Sequence, residues 1–187
     1  MSNSKAAPKP APARHAANVR IAKAAPSAPV VTARPAIRAP HQSDIFVEDT
    51  GLYRFDPQAR IAVIRQGVPA SIIGSLSSRM GMSKETMLSS LGLSRATISR
   101  KEKEATVLSK DESERVLGVA TLIGMVQTMV EQSGDPTGFD AARWVSGWLT
   151  KPLPALAGET PASYMDTFEG QKLVAELLSM TQSGAYA

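Results

Sequence analysis

The stretch that most limits how this chain can fold runs from Ser109 to about Gln132. It opens "SKDE", and Ser109 with Glu112 has the spacing of a capping box, in which each side chain satisfies a backbone N–H of the other. Val116, Leu117, Val119, Ala120, Leu122, Ile123, Met125, Val126, Met129 and Val130 follow. These positions cover more than one helical face. A helix apolar most of the way round must be covered on several sides. It is either the central helix of a small helical domain or a helix shared with a second subunit.

The remaining punctuation is helical too. Pro69 suits the first turn of a helix over 68–81, with Ile72, Ile73, Leu76 and Met80 at helical spacing. Ser83 can cap "KETMLSSL" and Ser94 can cap "RATISRKEKE". Asp140 can cap "AARWVSGWL", which Lys151-Pro152 stops. Thr160-Pro161 starts a short helix, and Thr167 starts a last one with Leu173, Val174, Leu177, Leu178 and Met180 as its apolar face. Pro57 can open a helix whose apolar face is Ile61, Val63 and Ile64. No strand alternation and no internal repeat stands out. The expected fold class is all-α.

The N-terminal region differs in texture. Residues 1–43 hold 7 of the 21 Lys/Arg, 7 of the 13 prolines and no acid. That leaves 14 bases against all 17 acids over 44–187, a net of −3. The basic character therefore belongs to the tail and says nothing about what the folded part binds. Dense proline blocks helix propagation, and too little apolar surface exists to offset ordering. The expected organisation is a disordered basic tail over 1–50, a helical domain over 51–132 and a C-terminal domain over 133–187. The tail reads as a solvated spacer or as an arm that follows phosphates. A transit peptide fits its lack of acids but not its prolines.

Several classes of chemistry are excluded. There is no cysteine, and both histidines, His15 and His41, lie in the tail. A histidine-dependent triad or metal site within the fold is therefore excluded. No phosphate-binding glycine loop follows a strand. The expectation is a chain that is not an enzyme and takes no cofactor or metal. The missing cysteines fit a reducing cytoplasm, and no run resembles a secretory signal or a membrane span.

"GLSRATISRKEKE" (92–104) has the outline of a DNA-reading helix-turn-helix. Met87, Leu88 and Leu91 sit on a first helix, Gly92 makes the turn, and Leu93 and Ile98 point inward. The opposite face of the second helix carries Arg95, Ala96, Thr97, Ser99 and Arg100. Arginine can bond a guanine edge with two hydrogen bonds, and small residues allow close approach to bases. Ser94 would put a helix N-terminus near a phosphate. Lys101 and Lys103 are placed for backbone contacts, which orient rather than specify. Bulky Met87 and Leu88 stand where a small residue usually lets the helices cross closely. A plain hairpin with a solvated charged face has the same outline.

Further motifs narrow the reading. They are Leu93-Ser94-Arg95, Thr97 and Arg100, then Leu108-Ser109, Glu112-Ser113 and Arg115-Val116-Leu117. Trp148-Leu149, Pro152, Pro154-Ala155-Leu156, Gly158 and Thr160-Pro161 follow, then Asp166-Thr167, Gly170 and Gly184-Ala185-Tyr186. In this order, over roughly 54–187, the chain resembles the Xre/MbcA/ParS-like antitoxins, partners of RES-domain toxins. Gly118 departs from the pattern, which often has arginine there.

The resemblance implies an Xre-type DNA-binding unit, a C-terminal toxin-binding unit and repression of the pair's own operon. Its implied partners are operator duplex DNA and a RES-domain toxin that consumes NAD or transfers ADP-ribose from it. The chain would act as a homodimer within a toxin–antitoxin hetero-oligomer. Its C-terminal end would reach the toxin's NAD cleft. The residues fit that role. "KPLPALAGETP" is stiffened by proline, so it loses less entropy on docking. Trp144 and Trp148 share a helical face, and at least one of them is expected in the core. The candidate toxin-binding residues are Trp148, Lys151, Pro152, Leu153, Pro154, Leu156, Gly184, Ala185, Tyr186 and Ala187. A stand-alone regulator with a C-terminal dimerisation or sensing domain is the alternative. A nucleoid-type architectural protein dominated by the tail is the third reading.

Overall fold

A computed structural model of the chain describes residues 51–182. The tail over 1–50 and Gly184, Ala185, Tyr186 and Ala187 lie outside the described residues. The described elements are helical: α1 (Gly51–Arg54), α2 (Pro57–Gln66), α3 (Ile72–Met80), α4 (Lys84–Ser90), α5 (Arg95–Lys103), α6 (Lys110–Ser133), α7 (Ala141–Leu149) and α8 (Phe168–Gln182). Two 3-10 turns, Pro154–Leu156 and Pro161–Tyr164, join α7 to α8.

α6 is the axis of the fold. Ser109 and Glu112 form the full capping box, and the 24-residue helix spans about 36 Å. Val116, Leu117, Val119, Leu122, Ile123 and Val126 are buried. α1, α2, α7 and α8 all pack on it. Its breadth of apolar surface is thus used within one chain as far as Val126, over roughly the first two-thirds of its length. Met125, Met129 and Val130, nearer the end, stay half-buried. One hydrophobic cluster runs from Val63 to Leu178, so residues on both sides of position 132 share a core.

Other elements follow from their caps. Asp56 accepts from Ala59 N (2.9 Å) and Pro57 occupies the first turn of α2. Its buried face is Ala59 and Val63, while Ile61 is 46% exposed. Ile61 lies two residues, about 200° of rotation, from Val63, so the two cannot share a face. The last helix differs in the same way: Val174, Leu177 and Leu178 are buried, but Leu173 and Met180 are exposed.

The α3 segment corrects a second expectation. Its helix starts at Ile72, not near Pro69. Pro69 instead pairs with Val107 in an isolated antiparallel bridge. Leu108 N donates to Val68 O (2.8 Å) and Ala70 N to Thr106 O (3.1 Å). Proline has no N–H to give, and both donors come from other residues. This clamp ties the segment before α3 to the segment after α5, and so brackets α3–α5 as one unit. No helix among the described residues is long and apolar enough to cross a membrane.

Candidate functional site

α4, its turn and α5 carry the first set of candidate residues. Ser83 caps α4 by accepting from Thr86 N (3.0 Å). The helix closes at Gly92, whose φ of 59° is left-handed and suits glycine. Leu93 N then donates back to Leu88 O (2.8 Å). Arg115 of α6 reaches this turn: its Nη1 donates to Leu91 O (2.9 Å) and Gly92 O (3.1 Å). The helix end is therefore held by a cation from the core helix, where carbonyls gather negative potential.

Ser94 starts α5 in an extended conformation and accepts from Thr97 N (3.4 Å). Leu93 and Ile98 are buried, which turns the opposite face outward. Ser94, Arg95, Ala96, Arg100 and Lys103 are exposed, and Thr97 and Ser99 are half-buried. Arg95 has only a loose ion pair with Glu85 (3.4 Å) at the surface.

Lys101 is different. Its ammonium pairs with Glu112, and both side chains are largely covered. Burial tends to raise the Glu112 carboxyl. Hydrogen bonds from Lys101 and from the Ser109 N–H and hydroxyl outweigh it and hold the group below the usual carboxylate range. Lys84 similarly pairs with Glu102. α5 is thus fixed to α4 at one place and to the start of α6 at another. The capping box was legible in the sequence. The second use of Glu112, and the Lys84–Glu102 pair across the hairpin, have no local signal.

The second set lies after α7. Asp140 caps α7 through Arg143 N (2.9 Å). Trp148 is buried and stacks on Trp144, with centroids 6.3 Å apart and planes at 10°. Trp144 is 40% exposed. After α7 the chain makes a compact hairpin: Leu153 N donates to Glu159 O and Gly158 N to Leu153 O, both 3.0 Å. Within it Leu156 is buried, Leu153 half-buried, and Lys151, Pro152 and Pro154 are exposed. Trp148 and Leu156 thus shape the loop from inside.

Gln171 was not singled out by sequence, yet it ties α6 to the segment ahead of α8. Its Nε2 donates to Arg115 O (2.9 Å) and Met165 O (2.8 Å), and the residue is buried. Gly118 makes room for it on α6. α2, α6 and α8 also border an open groove of about 440 Å³, rimmed by Ile61 and Phe168. Among the described residues, no cluster of three or more His, Cys, Asp or Glu could hold a metal ion.

Residues 59–120 match the model of the antitoxin Xre-like helix-turn-helix domain. Residues 138–184 match that of the antitoxin Xre/MbcA/ParS C-terminal toxin-binding domain. The chain is also similar to the Prs ADP-ribosylating antitoxin of Sphingobium sp. (strain YBL2). The two are 45% identical over 136 residues, which is 73% of this chain and 86% of that protein.

Proposed function

This chain belongs to the Xre/MbcA/ParS family of antitoxins, and from that premise we propose that it silences a RES-domain toxin with its C-terminal region while α5 reads operator DNA. The observation that carries the reading is the division of one chain into two surfaces. A toxin-binding domain covers 138–184, and an exposed arginine and hydroxyl helix lies inside the helix-turn-helix domain.

On the DNA side, Arg95 and Arg100 meet base edges, with Ala96 and the hydroxyls of Thr97 and Ser99 between them. Ser94 and the α5 N-terminus meet a phosphate, and Lys103 meets another. A homodimer presents two copies of α5 to half-sites about 34 Å apart. Repression of the antitoxin's own operon follows from that docking.

On the toxin side, Lys151, Pro152 and Pro154 are the exposed contacts of a loop that Trp148, Leu153 and Leu156 stiffen from within. A preorganised loop loses little entropy on docking. Gly184, Ala185 and Tyr186 enter the toxin's NAD cleft, and Ala187 follows. The name of the Sphingobium relative joins ADP-ribosylation to an antitoxin, which favours a toxin that transfers ADP-ribose over one that only destroys NAD.

The test is co-expression with the RES-type toxin, followed by toxin assay and operator binding. The expected result is a stable complex, suppressed NAD turnover and operator affinity above that for random duplex. A pair that purifies apart, with NAD turnover unchanged, overturns the toxin reading. That outcome with operator binding intact would identify a stand-alone regulator.

A further inference from the structure

The end of α6 carries a second, smaller groove of about 210 Å³. Met129 and Val130 of α6, Phe139 just ahead of α7, Trp144 of α7, and Leu178 and Thr181 of α8 line it. Its direction follows from two contacts. Gln171 of α8 lies across Gly118 of α6, and Leu178 shares the groove with Val126. Seven residues of α8 thus match eight of α6, so the helices run parallel. At that register α8 finishes about one turn short of Ser133, which also lines the groove. The described end of α8 therefore lies alongside the groove, with the last turn of α6 and Phe139 and Trp144 as its neighbours there.

The residues that follow are "SGAYA". Gly184 and Ala185 are narrow, and Tyr186 stands four residues past Gln182, within about 13 Å in extended form. Phe139 and Trp144 already sit 6.5 Å apart with planes at 45°. Trp144 still leaves 40% of its surface open. A third ring fits the tilted and offset arrangements that aromatic groups favour.

We propose that, without a partner, residues 183–187 lie in this groove with the Tyr186 ring against Trp144. The apolar residues Ile45-Phe46-Val47 are a competing occupant, since Arg54 of the following helix pairs with Glu131 near the same end. Direct continuation along the groove axis favours Tyr186. The seat does not depend on the toxin reading. If that reading holds, the seat must empty before the same residues enter a toxin.

The test uses the full toxin-free chain, ¹⁵N-labelled. Its two tryptophans give two indole N–H resonances. Tyr186→Ala, and separately a chain ended at Gln182, should shift the Trp144 resonance, assigned with Trp144→Phe. Both should also increase quenching of Trp144 emission by acrylamide. Far-UV circular dichroism should stay unchanged. Three results overturn the seat: a Trp144 resonance indifferent to both variants, one that moves with protein concentration instead, or one that responds to Phe46→Ala and not to Tyr186→Ala. Toxin inhibition enters none of these readouts, so failure here and failure of the toxin reading are distinguishable.

Discussion

Gln171 occupies the space that a side chain at Gly118 would need: a Cβ there would lie 1.8 Å from Gln171 Oε1. The amide in that space bridges Arg115 O on α6 and Met165 O ahead of α8. Gly118 is therefore a packing glycine, and the departure from arginine at this position goes with a glutamine laid across the helix. In an exposed helix Gly→Ala gains about 1 kcal/mol. Here the methyl would displace a buried, doubly bonded amide, a loss of roughly 1–3 kcal/mol. Gly118→Ala is expected to be destabilising in urea unfolding. Combined with Gln171→Ala it should be less than additive, because the two changes act on one contact.

Arg115 extends that contact to the DNA-reading unit, since its guanidinium holds Leu91 O and Gly92 O while its own carbonyl receives Gln171. Hydrogen bonds from a charged donor contribute about 1.5–3 kcal/mol. Arg115→Ala should lower stability on that order and loosen the turn that aims α5. Operator affinity should fall, although Arg115 itself is proposed to touch no base. Arg115→Lys should recover only part, because an ammonium lacks the guanidinium's fixed fork of donors. Fluorescence anisotropy with operator duplex and urea unfolding on the same variants would separate the two effects.

The helices were legible wherever a cap marks the start. Ser83, Ser94, Ser109 and Asp140 each accept the expected backbone N–H. The inward set of Leu93 and Ile98 was legible from helical period alone, and it fixes which face of α5 turns outward. Period also explains the faults: Ile61, Leu173 and Met180 are apolar but fall off the buried stripe. Pro69 misled because proline suits both a first helical turn and the edge of a bridge. The contacts that fix the site were not legible. Lys101–Glu112, Lys84–Glu102 and Gln171–Arg115 join residues distant in sequence or on different helices. No local pattern encodes such partners.

Two lysines next to each other but one on α5 should behave differently. Lys103 is exposed, whereas the Lys101 ammonium is turned onto Glu112. If Lys103 meets a phosphate, Lys103→Ala should weaken all duplexes alike and reduce the salt slope of binding by about 1. Lys101→Ala should leave the salt slope nearly unchanged and lower stability instead. Arg95→Ala and Arg100→Ala form the third class. Each should cost about 1–3 kcal/mol on operator and less on random duplex if it reads a base. Titrations at several salt concentrations, on both duplexes, would sort the four variants.

The Glu112 carboxyl makes part of the stability pH-dependent. Its hydrogen bonds to Lys101 and Ser109 hold it lower in the folded chain than in the unfolded one. The unfolded chain therefore takes up a proton first as pH falls. The stabilising contribution is complete above the ordinary carboxylate range and is lost as pH descends through the folded value. Glu112→Gln keeps the shape of the capping box, but removes both the titrating group and the charge that Lys101 faces. The variant should be less stable than the parent at neutral pH, and the difference should shrink toward acid. Lys101→Ala should flatten the same profile in the parent background, since it removes the leading hydrogen bond that lowers the carboxyl. Urea midpoints measured from neutral to strongly acidic pH for the three chains would check this. A parent-to-Glu112→Gln difference that stays constant across the range would show that the carboxyl titrates alike in both states.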